Sequence, residues 1–218
     1  MKTLNTFALS PLLLLAISFG ACADAVDDGI RDIQERWAEI TYHAVGDDRK
    51  EAEYEALETD AEKLETAYPD RAEPKIWYGI VLSTHAGVSG GLGALKMVKA
   101  ARVLFEEAIA IDDAALDGSA HTSLGSLYYQ VPGWPLGFGS DKKAEKHLTH
   151  ALEINPRGVD PNYFYGDYLY EQNRFDEAAQ ALEAALAAPA RADRPLADAG
   201  RQQEVRALMD KVKMKLGS

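Results

Sequence analysis

Residues 163–189 read YFYGDYLYEQNRFDEAAQALEAALAAP, and this stretch decides the fold. In its first half Tyr165 and Gly166 stand next to each other, with Leu169 one helical turn on. In its second half Ala178, Leu182 and Ala185 recur at intervals of three and four, the period of one helical face. A short polar run at 171–174 separates the halves, and Pro189 ends the second. The pattern predicts two antiparallel helices. Gly166 and Ala178 are small where two helices must cross, and Leu182 is large enough to fill the groove beside them.

The same arrangement occurs twice more upstream. Tyr78-Gly79 with Leu82 precedes Ala101, Phe105 and Ala108; Leu124-Gly125 with Tyr128 precedes Ala144, Leu148 and Ala151. A helical hairpin cannot cover its own apolar stripe, so recurring hairpins predict a stack in which each unit buries its neighbour. Over roughly residues 73–189 the sequence resembles the tetratricopeptide repeat (TPR) family. The resemblance implies an all-α, right-handed superhelix that serves as a non-catalytic scaffold for a protein or peptide partner. The units fall at 73–114, 118–157 and 160–189. A further hairpin is expected over 26–70, where Ile30, Ile33, Trp37 and Ile40 share one face and Tyr54, Leu57, Ala61 and Leu64 another, with a turn at 45–48. The tail 194–217 carries Val205, Leu208, Val212 and Leu216 on one stripe behind Pro195 and reads as a capping helix; its late lysines Lys211, Lys213 and Lys215 suit the helix dipole.

Two units carry extra residues between their helices. The Gly-rich insert 86–93 and the insert 131–139, which holds a Trp-Pro-Leu-Gly-Phe string, are expected as loops on the same edge of the stack. Trp134 and Phe138 there are either a plug folded over the solenoid edge or anchors for a partner, and the aggregation risk of an exposed apolar string favours the plug. This insert, with the Asp-Lys-Lys-Ala helix start at 141–144, also resembles the periplasmic T-component of TRAP-type transporters over residues 118–157. That resemblance implies an accessory protein associated with a substrate-binding protein. Gly137-Phe138-Gly139-Ser140-Asp141 stands where the family has Gly-Gly-Asp.

The first 25 residues differ in kind: a basic start at Lys2, a Leu-rich run from Phe7 to Ala21, then small residues. This is the pattern of a secretory signal peptide, and the run is too short for a stable membrane span. The mature chain, 26–218, is expected in a periplasm. Ordinary cleavage would leave an unmodified N-terminus at Asp24 or Val26; the alternative is lipidation of Cys22, which would anchor the protein to the outer membrane. With one cysteine, no disulfide within the chain is available. The 218 residues carry 47% hydrophobic and 27% charged residues, the balance of a globular domain, and a net charge of −12. An acidic surface repels phosphate backbones and anionic lipid, so nucleic acid is not an expected partner.

No catalytic set or cofactor motif emerges. His147 and His150 lie three apart near Glu145, but spacing places no third ligand, and His43, His85 and His121 are isolated; no metal is expected. Residues 87–93 lack the Gly-Lys-Ser/Thr ending of a phosphate loop. An envelope hydrolase remains the rival class and would need clustered carboxylates. The binding surface is expected on the concave face, where the first helix of each unit presents Thr122, Ser126, Tyr129, Tyr163, Asp167 and Tyr170. Tyr and small polar residues suit peptide recognition. Cations for a terminal carboxylate are absent from these positions, which favours a neutral or basic segment.

Overall fold

The computed structural model describes residues 17–44 and 46–217. Residues 1–16 lie outside this range, as do the side chains of 17–24, so the leader segment read over 1–25 and the Cys22 thiol are largely beyond it. The described residues form nine helices and no strand: α1 Ile17–Tyr42, α2 Asp47–Ala67, α3 Ala72–Ser89, α4 Gly91–Ile111, α5 Ala115–Gln130, α6 Asp141–Ile154, α7 Val159–Glu171, α8 Phe175–Leu186 and α9 Pro195–Leu216. None is long and apolar enough to cross a membrane.

Each even helix packs against the odd helix before it and the odd helix after it. This is an all-α helical repeat, and its crossings are built as the sequence predicts. A Cβ on Gly79 would stand 2.6 Å from the Phe105 ring, one on Gly125 2.7 Å from Leu148, and one on Gly166 2.9 Å from Leu182. Phe105, Leu148 and Leu182 are fully buried. Polar ties lock the first units together: Lys75 on α3, almost wholly buried, donates to Glu65 on α2 at 2.6 Å and to Glu107 on α4 at 2.9 Å.

The odd helices form an inner row, α1 to α3 to α5 to α7 to α9, and α9 then returns to touch α1. The cap therefore does more than cover the last repeat. It closes the row into a ring. The closure depends on Gly200, whose missing side chain leaves room for the Tyr42 ring at 2.4 Å from where a Cβ would lie. Ala197 of α9 likewise joins the cluster of Trp37, Trp77 and Val81 from α1 and α3.

The two inserts part ways. Residues 86–93 are not a loop: α3 continues to Ser89 and α4 starts at Gly91, with Gly90 and Gly91 at positive φ of 64° and 66° making the turn. The Ala, Val, Ser and Leu residues on either side tolerate helix, so two adjacent glycines suffice to reverse the chain. Residues 131–140 do leave helical geometry. They are held by Gly139 N–H to the Pro132 carbonyl at 3.0 Å and Ser140 N–H to the Tyr128 carbonyl at 2.7 Å. Ser140 then caps α6, its hydroxyl accepting from the Lys143 N–H.

Candidate functional site

The ring encloses a cavity of about 710 Å³, within the size range of small-molecule sites. Every odd helix contributes to its wall. Trp37 and Tyr42 come from α1, Trp77 and Ile80 from α3, Leu127 from α5, Phe164 from α7 and Ala197 from α9. The hydroxyls of Ser83, Thr84, Ser119, Thr122, Ser123 and Ser126 are interspersed among these apolar groups. Both inserts reach the same mouth, through Leu92 and Leu136.

Thr122 and Ser126 thus face the cavity. The other four groove residues do not line it and join helix to helix instead. The Tyr129 hydroxyl donates to Asp167 at 2.6 Å, tying α5 to α7, and burial together with the Asp167 charge raises its pKa well above the usual value. Tyr163 lies under the Arg201 guanidinium, 4.6 Å from its ring centroid, and burial pushes its hydroxyl up to about 12. Tyr170 packs on Phe175 with the core.

One end of the cavity is cationic. Asp160, in the first turn of α7, accepts from Arg191 at 2.9 Å and from Arg201 at 2.8 Å, while Arg191 also pairs with Asp198 and Arg201 with Glu204. Arg194 differs from its neighbours. Its guanidinium lies 5.0 Å from the centre of the Trp77 ring, its Nε is buried without a hydrogen-bond partner among the described residues, and burial beside Arg191 lowers its pKa. The Trp77 indole N–H is likewise buried and unpaired. Two residues that line one end of an apolar cavity therefore each carry a buried donor without a partner among the described residues. Buried donors are nearly always satisfied, so an acceptor is expected beside them. The arginines that the first helices of the repeat units, α3, α5 and α7, lack are supplied by the segment before α9 and by α9 itself. Repeat periodicity points only to the first helix of each unit, and these arginines lie outside those helices.

The plug reading of the second insert is corrected for one of its two aromatics. Phe138 packs edge-on against Tyr128 with Arg102 4.7 Å above its ring. Trp134 is 89% exposed, and Leu136 and Leu92 nearby are also largely exposed. The backbone hydrogen bonds and Phe138 hold the loop, so Trp134 is not needed as a wedge. Trp134→Ala should leave the melting temperature within a degree or two of wild type, since surface changes away from packed features stay within about 0.5 kcal/mol. A drop several times larger would return Trp134 to a structural role.

Outside the cavity, His121 comes up against His147 and His150, a meeting that spacing alone did not reveal. Glu145 takes no part in it, being paired with Arg174 at 2.6 Å. No family model matches this chain, and no curated protein matches it either.

Proposed function

We propose that this protein is a non-catalytic, exported binding protein of the tetratricopeptide type whose ring cavity holds an elongated apolar molecule with an anionic head. The observation that carries this reading is the pairing of an apolar, hydroxyl-studded wall with the unpaired donors of Arg194 and Trp77 at one end. A carboxylate seated there would gain charge-assisted hydrogen bonds from donors that the fold has already desolvated. The lining residues also argue against catalysis. They contain no His, Cys, Glu or Lys, and their one carboxylate, Asp160, is held between two arginines and ionised, with a pKa lowered to about 2. A general base needs a pKa nearer neutrality. Titration with a long-chain carboxylate, followed by the fluorescence of Trp37 and Trp77, tests the proposal; saturable quenching is expected.

A second reading concerns the mouth. The resemblance of residues 118–157 to the T-component family suggests an accessory that docks on a substrate-binding protein. The exposed Leu92 and Leu136 of the cavity lining, with exposed Trp134 two residues before Leu136, favour it, because apolar residues at a cavity entrance suit a contact that closes over the entrance. Under this reading Trp134→Ala lowers affinity for the docked protein by about fivefold or more while leaving cavity binding intact.

A further inference from the structure

Two helices and a turn bring Asp113, His121 and His150 to one point. Asp113 sits in the turn between α4 and α5, His121 on α5 and His150 on α6, and one ligand atom from each lies within 4.8 Å of the others. Two features separate this cluster from an ordinary surface ion pair. The first is His121 itself, 6% exposed, whose Nε2 is buried and has no hydrogen-bond partner among the described residues. The second is that the opposite nitrogen of each ring is engaged. His121 Nδ1 lies 2.9 Å from His147 Nδ1, and His150 Nδ1 lies 2.8 Å from the Glu153 carboxylate.

Those partners leave Nε2 of each ring available to a cation. Glu153 is an acceptor, so a neutral His150 donates from Nδ1 and keeps a lone pair on Nε2, the atom 3.6 Å from an Asp113 oxygen. His121 can donate from Nδ1 to His147, which leaves its own Nε2 as a lone pair. Metal-bound imidazoles are oriented in this manner, with the distal N–H given to a carboxylate or another acceptor. The His147 ring is fixed in turn by stacking on Tyr128, with centroids 5.7 Å apart.

We propose that Asp113, His121 and His150 form a binding site for a borderline divalent transition cation, zinc foremost, with water completing the shell. Two imidazoles and one carboxylate suit zinc, whereas calcium and magnesium require oxygen ligands throughout. A tetrahedral shell with bonds near 2.0–2.1 Å needs ligand atoms about 3.3 Å apart, a contraction that requires the exposed Asp113 and partly exposed His150 side chains both to rotate toward His121. The ion would pin the turn before α5 and the kinked start of α5, where Leu116, Asp117 and Gly118 all have positive φ, to α6. The site is separate from the cavity and does not depend on what the cavity holds.

The test is calorimetric titration of tag-free, chelator-treated protein with Zn(II), paired with Co(II) binding followed by visible absorption. One equivalent should bind, with the intense visible bands of low-coordinate cobalt. His150→Ala and Asp113→Asn, both at partly exposed positions that the fold tolerates, should each weaken binding more than about tenfold, and Glu153→Gln by a smaller factor. His43→Ala, on exposed α1–α2 connecting chain, should change nothing. Equal binding by His150→Ala and wild type would overturn the proposal, as would the absence of micromolar Zn(II) binding in protein whose helical circular dichroism is intact.

Discussion

Asp160→Ala should lower the melting temperature by on the order of 10 °C, one of the largest losses any single substitution in this chain can cause. Asp160 joins α7 to the segment before α9 and to α9 itself, accepting from Arg191 and from the nearly buried Arg201. Removing it leaves two guanidiniums in a poorly hydrated pocket with only Asp198 and Glu204 as counter-charges. Breaking a buried pair in this way costs about 3–5 kcal/mol, and each kcal/mol moves the midpoint by about 2–4 °C in a chain this long. The pH dependence follows from the same contacts. Burial alone would raise the Asp160 carboxyl, but Arg201, Arg191 and Arg194 outweigh it and hold the pKa at about 2. The folded chain thus binds this proton less readily than the unfolded chain, whose Asp titrates near 3.9. The contribution, about 2 kcal/mol, is complete above about pH 5 and lost as pH falls toward 2. Urea midpoints measured from pH 6 to pH 2 should therefore converge between wild type and variant at the acid end. A gap that stays constant with pH would show that the Asp160 charge is not what stabilises the ring.

The other large effect belongs to the repeat crossings and appears only in a double-mutant cycle. Phe105→Ala should cost about 3–5 kcal/mol, because the ring is fully buried and its loss leaves a cavity between α3 and α4. Gly79→Ala alone should also destabilise, by about 1–3 kcal/mol, since its methyl would meet the Phe105 ring. In the Phe105→Ala background that obstacle is gone. The same Gly79→Ala change should then become neutral or favourable, gaining the roughly 1 kcal/mol by which Ala exceeds Gly inside a helix. Denaturation of all four proteins measures the coupling. Simple additivity would mean that Gly79 is small for some reason other than the approach of Phe105.

That pairing was legible in the sequence because each Gly and its large partner belong to one hairpin, and a helical period is enough to put them on facing stripes. Ring closure was not legible. It depends on Gly200 meeting Tyr42 from the far end of the chain, and no local pattern encodes such a contact. The insert at 86–93 was misjudged for a local reason: its glycines suggested a loop, yet only the two at positive φ break the helix. Trp134 was misjudged because burial was inferred from apolarity, whereas the backbone and Phe138 already hold the loop. The histidine cluster lay partly within reach. With Gly125 opposite Leu148 in an antiparallel pair, four residues back on α5 and two residues on along α6 bring His121 beside His150. Asp113 lies in the turn ahead of three successive residues of positive φ, a path that no helical period predicts.

The claim that the ring encloses a binding cavity is tested most directly by a blocked variant. Ser126 faces the cavity from α5, and Ser126→Phe would place a ring inside it without touching the Asp160 network or the Gly-to-Leu crossings. Fluorescence titration with a long-chain carboxylate should be run in a Trp134→Phe background, so that only Trp37 and Trp77, the two tryptophans of the cavity wall, report. The account predicts saturable one-to-one quenching in that background, affinity reduced at least about tenfold by Arg194→Gln, in keeping with the worth of a buried charge-assisted bond, and no saturable signal with Ser126→Phe. Undiminished binding to a folded Ser126→Phe protein would contradict it.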